Sequence, residues 1–148
     1  MYLEAEKYIQ NWNHNPPEEQ YHTVITNKLG QELKLPCEPH DIVCQIGYWR
    51  KANAIHRWFV DNVQGGRDEC QRSYVGRDQL QELLDITNRV LSNTKSIASK
   101  LLPTQEGFFF GNTDYNQRYW EDLKSTKEIL ERALALDESW SIYYRASW

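Results

Sequence analysis

Apolar and polar positions change rhythm several times along this chain, and each change marks an element. MYLEAEKYIQ places strand-forming residues in loose alternation, which predicts a strand over Tyr2 to Gln10. HNPPEEQ breaks that pattern, with Pro16 and Pro17 fitting a turn or the first turn of a short helix. HTVITNKLGQELKL reads as a hairpin: Val24 and Ile25 on one arm, turn chemistry around Gly30, then Leu33 and Leu35. PCEPHD is loop. DIVCQIGYW then alternates Ile42, Cys44, Ile46 and Tyr48 on one face with Val43, Gln45, Gly47 and Trp49 on the other. A strand is expected there, with Cys44 on its buried face.

At KANAIHRWFVDNVQ the period becomes helical. With a helix start near Arg50, Ala52, His56, Phe59 and Val63 share one stripe. Gly65 and Gly66 stand where such a helix would stop. A short strand is expected at Ser73 to Val75. Arg77 to Leu91 is the clearest helix, with Leu80, Leu83, Leu84, Thr87, Val90 and Leu91 in one stripe. SNTKSIASKLL continues as a second helix that ends before Pro103. LPTQEGFFFGNTD is an extended loop or short strand. Asp114 and Gln117 resemble a capping box, so a long helix is expected from Tyr115 to about Leu136. WSIYYRAS alternates again as a final strand. Strands, then helices, then a strand predict an α+β fold: one domain over residues 1–148, a small antiparallel sheet with three to four helices packed against it.

Composition narrows the function classes. Six Trp, nine Tyr and four Phe in 148 residues argue against disorder and supply flat surfaces for a core or a ligand ring. The formal net charge of -4 lacks the basic excess that phosphate neutralisation asks of a duplex-DNA binder. No apolar run approaches a membrane span and no signal-peptide pattern is present, so a cytoplasmic protein is expected. Cys37, Cys44 and Cys70 form no even, regularly spaced framework and read as reduced thiols.

The richest stretch is GYWRKANAIHRWF. His56 falls on the core side of the helix, with Asn53 at the stripe's edge, while Arg57 and Asp61 face away. Two readings stand side by side. In one, His56 is a buried neutral imidazole bonded to a backbone carbonyl. In the other, His56 and Asn53 line a pocket walled by Tyr48 or Trp49. Arg50 and Lys51 then stand at a helix N-terminus, where N–H groups and cations favour an anion. QGGRDEC reads as a helix C-cap, with Asp68 and Cys70 able to point back toward His56; a Cys70–His56 nucleophile pair is the weaker alternative. Cys37, His40 and Cys44 match no common zinc module, and no metal site is assigned.

GFFFG carries a second oddity. Three consecutive phenylalanines in extended chain cannot share one face, so one ring needs another surface. Phe109 is either covered by the long helix or left for a ligand, with Thr104, Asn112, Thr113 and Asp114 nearby as polar contacts. No serine elbow, zinc-protease helix, phosphate loop or dinucleotide fingerprint is present, and no cofactor is implied. Glu121 and Asp122 read as solvated helix-surface carboxylates.

GYWRKANAIHRWFVDNVQGGRDEC and LLPTQEGFFFGNTDYNQRYWEDLKST, with the opening MYLEAEKYIQNWNHNPPEEQ, resemble a family of small phage and prophage proteins. LGQELKLPCEPHDIVCQ does not match it. The resemblance covers most of the chain. It implies a viral or mobile-element origin, action in the host cytoplasm, and a few further residues before Met1. It brings no reaction and no catalytic residue. Three functions are therefore expected in this order. The first is binding of a small anionic, nucleotide-like ligand through Tyr48, Trp49, Arg50, Lys51, Asn53, His56, Thr104 and Phe109, sequestering a signal used in host defence. The second is a small enzyme on a nucleotide-like metabolite with His56 as acid or base. The third is a protein-interaction module blocking a host protein. Aromatic surface also leads us to expect a homo-oligomer.

Overall fold

The computed structural model describes residues 1–93, 95–106 and 112–147. Among these residues four strands and four α-helices alternate unevenly, beside a single 3-10 turn at Pro17–Glu19: β1 (Tyr2–Tyr8), β2 (Asp41–Tyr48), α1 (Asn53–Asn62), β3 (Ser73–Tyr74), α2 (Arg77–Leu91), α3 (Lys95–Leu101), α4 (Gln117–Leu134) and β4 (Ser141–Arg145). The strands form one antiparallel sheet in the order β2-β1-β4-β3. This is the expected α+β architecture, and no helix among the described residues is long and apolar enough to cross a membrane.

Alternation along β1 and β4 decides the layering. Leu3, Ala5, Ile142 and Tyr144 point to the buried face and join one hydrophobic cluster with Ile55, Phe59, Leu80, Leu83, Leu123 and Leu130. The intervening residues Glu4, Glu6 and Arg145 are tied across the opposite face. Arg145 Nε donates to Glu4 2.7 Å away, and Arg72 pairs with both Glu4 and Glu6 at 3.1 and 2.6 Å. The Arg72 guanidinium also lies 3.7 Å from the ring centre of Tyr143. Neighbouring residues on each strand therefore serve two different environments.

Helix α4 spans the helical layer. Its start is capped by Asn116, whose side chain accepts the N–H of Tyr119. The Asp114–Gln117 box does not form; the helix begins two residues later than expected because Asn116 is the side chain that reaches the free N–H. At the other end, Arg77 from the first turn of α2 donates to the carbonyls of Leu134, Leu136 and Asp137. That satisfies the last carbonyl of α4 and two just beyond it, and joins the two helices.

β2 departs from simple alternation. A bulge between its pairings with Leu3 and Glu4 leaves Ile46 as the extra residue. Downstream of it Gly47 and Trp49 turn inward and Tyr48 outward; upstream, Cys44 is exposed rather than buried. Gly47 is required here by contact, since a Cβ at that position would lie 2.4 Å from Cγ2 of Ile129.

The expected hairpin over residues 22–35 does not join the sheet. Thr26 and Glu32 form an isolated bridge, and Leu33 N–H donates to the Ile25 carbonyl at 2.8 Å. Val24, Ile25, Leu29 and Leu33 remain exposed. The local turn chemistry is obeyed, but no hydrophobic surface is offered to those side chains.

Candidate functional site

Helix α1 begins at Asn53, three residues later than Arg50. Lys51 adopts a left-handed conformation, with φ of 64°, which turns the chain between β2 and the helix. Arg50 and Lys51 are therefore loop residues ahead of the first turn. Ala52, at the N-cap position, has no side-chain oxygen to accept the first N–H groups of α1. Gly65 and Gly66 close its far end with φ of 64° and 77°, and Gly66 N–H reaches the Val60 carbonyl at 2.8 Å, as helix C-capping requires.

A cleft of about 480 Å³, open to bulk solvent, lies at the start of α1. One wall is the turn and helix start from Lys51 to Ile55; the other is the first two turns of α4. Thr104 and the segment from Asn112 to Asn116 complete the rim. Hydrogen bonds between its segments hold this rim. Asn53 Nδ2 donates to the Asn112 carbonyl at 3.1 Å, Thr104 Oγ1 donates to the Thr113 carbonyl at 2.7 Å, and Gln105 N–H donates to Asn53 Oδ1 at 3.4 Å. Below it, Tyr119 OH donates to the Leu102 carbonyl at 2.9 Å, and burial pushes this phenol's pKa well above its ordinary range.

Among the described residues two cations and two carboxyls line the cleft: Lys51 and Arg118, Asp114 and Asp122. Arg118 is oriented by donating to the Arg50 carbonyl at 2.9 Å. Asp122 is not the solvated surface group expected from the sequence. Burial against the cleft wall, opposed by nearby Arg118 and reinforced by Glu121, raises its carboxyl from 3.8 to about 6. Its backbone carbonyl accepts from Thr126 Oγ1 at 2.6 Å, and that hydroxyl accepts the indole N–H of Trp49 at 2.8 Å.

The predicted site residues therefore divide. Lys51, Asn53 and Thr104 meet in the cleft. Trp49 is buried with its indole N–H already used, so it is scaffold rather than ligand wall. Tyr48 is exposed outside the cleft and packs its ring against Tyr2 at 5.4 Å between centres. The Arg50 side chain is exposed outside it as well. Phe109 lies outside the described residues. Arg118, Asp122 and Asn116 were missed. Their signal was the i, i+4 spacing of Arg118 and Asp122 on the side of α4 next to its apolar stripe.

His56 takes neither of the two expected roles. It is buried, but its partners are side chains and not a backbone carbonyl. Nδ1 lies 2.7 Å from Tyr144 OH and Nε2 lies 2.9 Å from Asp68 Oδ2. Asp68 does point back to α1, as the spacing allowed. With both ring nitrogens engaged and Cys70 exposed, no Cys70–His56 pair exists. Phe59 stacks on Tyr144 with ring centres 4.0 Å apart. The triad is a packed internal tie, and His56 does not line the cleft.

His40 is turned onto the adjacent Asp41, and Cys37 and Cys44 are exposed. Among the described residues no group of three or more metal-ligating side chains comes together. The chain matches no protein-family model, no curated protein and no solved structure.

Proposed function

We propose that this protein binds a small phosphorylated, nucleotide-like molecule in the cleft between the start of α1 and α4. The observation that supports this reading is the mixed charge around the start of α1, where Lys51 and Arg118 share one cleft with Asp114 and Asp122. Lys51, Arg118 and the positive end of α1 favour a phosphate. Asp114 and Asp122 disfavour a simple inorganic anion in the same space. A molecule with phosphate at one end and hydroxyl or amino donors at the other uses both sets. The resemblance to phage proteins extends the reading to sequestration of a host signalling nucleotide.

The test uses the purified chain incubated with nucleoside mono-, di- and triphosphates, cyclic dinucleotides and ADP-ribose. Filtrate and heat-released material are then analysed separately. Intact ligand appearing only after denaturation supports binding without turnover. Retention of nothing from the mixture overturns the proposal.

One observation favours a second, enzymatic reading. A carboxyl with a pKa of about 6 lines the cleft, so Asp122 rather than His56 is the group able to exchange a proton with a bound molecule near neutral pH. Altered ligand in the filtrate, abolished by Asp122→Asn, distinguishes this reading from sequestration.

A further inference from the structure

The two edges of the sheet are built differently. β3 has two residues, and so short an edge offers little to pair with. β2 has eight, and between Asp41 and Gln45 it contains no lysine, proline or bulge to protect it. Ile42, Val43 and Cys44 are exposed, although their side chains alternate between the two faces. No strand among the described residues pairs with the outer edge of β2.

The register shows which backbone groups point outward. Ile9 N–H donates to the His40 carbonyl at 2.8 Å, and the pairing runs on through Lys7–Ile42 and Ala5–Cys44. Antiparallel pairs alternate between bonded and non-bonded, so His40, Ile42 and Cys44 direct their N–H and C=O groups at β1. Asp41, Val43 and Gln45 direct theirs away from it. The row has defined ends. Pro39 precedes it, and at the bulge Arg132 Nη1 already occupies the Ile46 carbonyl at 2.9 Å.

We propose that this edge pairs with the same edge of a second copy of the chain, antiparallel, about a two-fold axis at Val43. The outward residues are spaced evenly about Val43, so rotation sets Val43 against Val43 and Asp41 against Gln45, each pair exchanging both N–H···O bonds. Ile42 then faces Cys44 of the other copy in a non-bonded pair. Asp41 is the only charged residue of the window and meets a neutral glutamine, so no like charges oppose each other. A longer foreign strand would run into Arg132 at one end, whereas a second copy stops where the first does. Pairing joins two four-stranded sheets into one continuous sheet.

Sedimentation velocity over a wide concentration range tests this. The intact chain is expected to pass from monomer to dimer, with a dissociation constant on the order of 10 μM for so small an interface. Val43→Lys sets two ammonium groups on the axis and is expected to weaken the dimer at least about tenfold. Melted well below the dissociation constant, where both proteins are monomers, it should match the intact chain, because Val43 is exposed there. Ile42→Cys, in a Cys37→Ser, Cys70→Ser background, should oxidise to a covalent dimer linked from Cys44 to the new thiol of the other copy, mapped by peptide mass. A chain that stays monomeric throughout, a dimer indifferent to Val43→Lys, or failure of that specific cross-link each overturns the proposal. So does a chain that is monomeric alone yet binds a foreign strand along β2.

Discussion

Nε2 of His56 lies 2.9 Å from the Asp68 carboxylate, 12 residues further along the chain. The contact ties the helix start to the loop that follows it. A carboxylate only accepts, so Nε2 carries the proton and Nδ1 accepts from Tyr144 OH. The tyrosine remains a donor because burial holds its phenol pKa far above the ordinary range. Burial lowers the His56 pKa, and the attraction of Asp68 offsets this only in part. A histidine whose folded pKa is depressed contributes stability that is fully present above its ordinary pKa of 6.5 and is lost as pH falls below it. His56 therefore acts to lower the melting temperature as pH falls from 7 to 5, and comparison with a variant isolates its contribution. His56→Gln should melt lower at pH 7, and its gap from the native protein should narrow toward pH 5. A gap that stays constant across this range removes His56 from the acid response.

Gly47 and Ile129 make the second close approach. With a Cβ at residue 47 only 2.4 Å from Cγ2 of Ile129, Gly47→Ala forces β2 or α4 to shift. The expected cost is about 1–3 kcal/mol, as for other overpacked cores. Ile129→Ala alone is also destabilising, through the cavity it leaves. The double variant should be more stable than the two losses added together, because the methyl introduced at one site occupies space vacated at the other. Denaturant unfolding of the four proteins gives the coupling directly; additive losses would mean that the backbone yields instead.

The parts of the fold that were legible in the sequence are those where one period persists. β1, α2 and the tail strand β4 keep a single apolar rhythm, so their faces could be assigned before any contact was known. The hairpin around Gly30 was misleading for the opposite reason: turn chemistry is local, whereas joining a sheet requires a partner the sequence pattern does not name. β2 lost its expected faces for two reasons: from Ile42 to Gln45 side chains on both faces are exposed, and the bulge at Ile46 inverts those that follow. At the site, Lys51, Asn53 and Thr104 were found because they flank conspicuous motifs. Asp122 was overlooked because a carboxylate one position from an apolar stripe reads as solvent-facing until the cleft wall it stands in is seen. His56 was correctly placed inside, but its partners Asp68 and Tyr144 come from distant chain segments, and periodicity within one helix carries no information about them.

Asp122 makes a stability contribution of the opposite sign to that of His56. Its carboxyl is raised from 3.8 to about 6, so the folded protein holds a proton that the unfolded chain has released, and stability falls as pH rises through that window. Above it the charged group sits in a partly buried site at a cost. Discounted for its partial exposure, the cost is about 1 kcal/mol. Asp122→Asn removes the charge and should raise the melting temperature by roughly 3 °C at pH 7. At pH 5, inside that window, the gain should be roughly half as large, and it should vanish only below the unfolded pKa of 3.8. An equal gain at both pH values would show that packing, not charge, separates the two proteins.

Lys51 and Arg118 are the cations that face the proposed ligand, and their removal should separate the cleft from the conspicuous residues beside it. A charge-assisted contact to a phosphate is worth about 1.5–3 kcal/mol, so Lys51→Ala and Arg118→Ala should each weaken nucleotide retention by roughly ten- to a hundredfold. Tyr48→Ala and Arg50→Ala should leave retention unchanged, since those side chains lie outside the cleft and Arg118 contacts only the backbone carbonyl of residue 50. Equilibrium dialysis against the retained nucleotide, at two salt concentrations, checks both halves of this expectation. The salt dependence should fall with each cation removed, because screening acts on the charges that contact phosphate. If Arg50→Ala weakens binding as much as Lys51→Ala does, the ligand lies across the β2–α1 turn and not in the cleft.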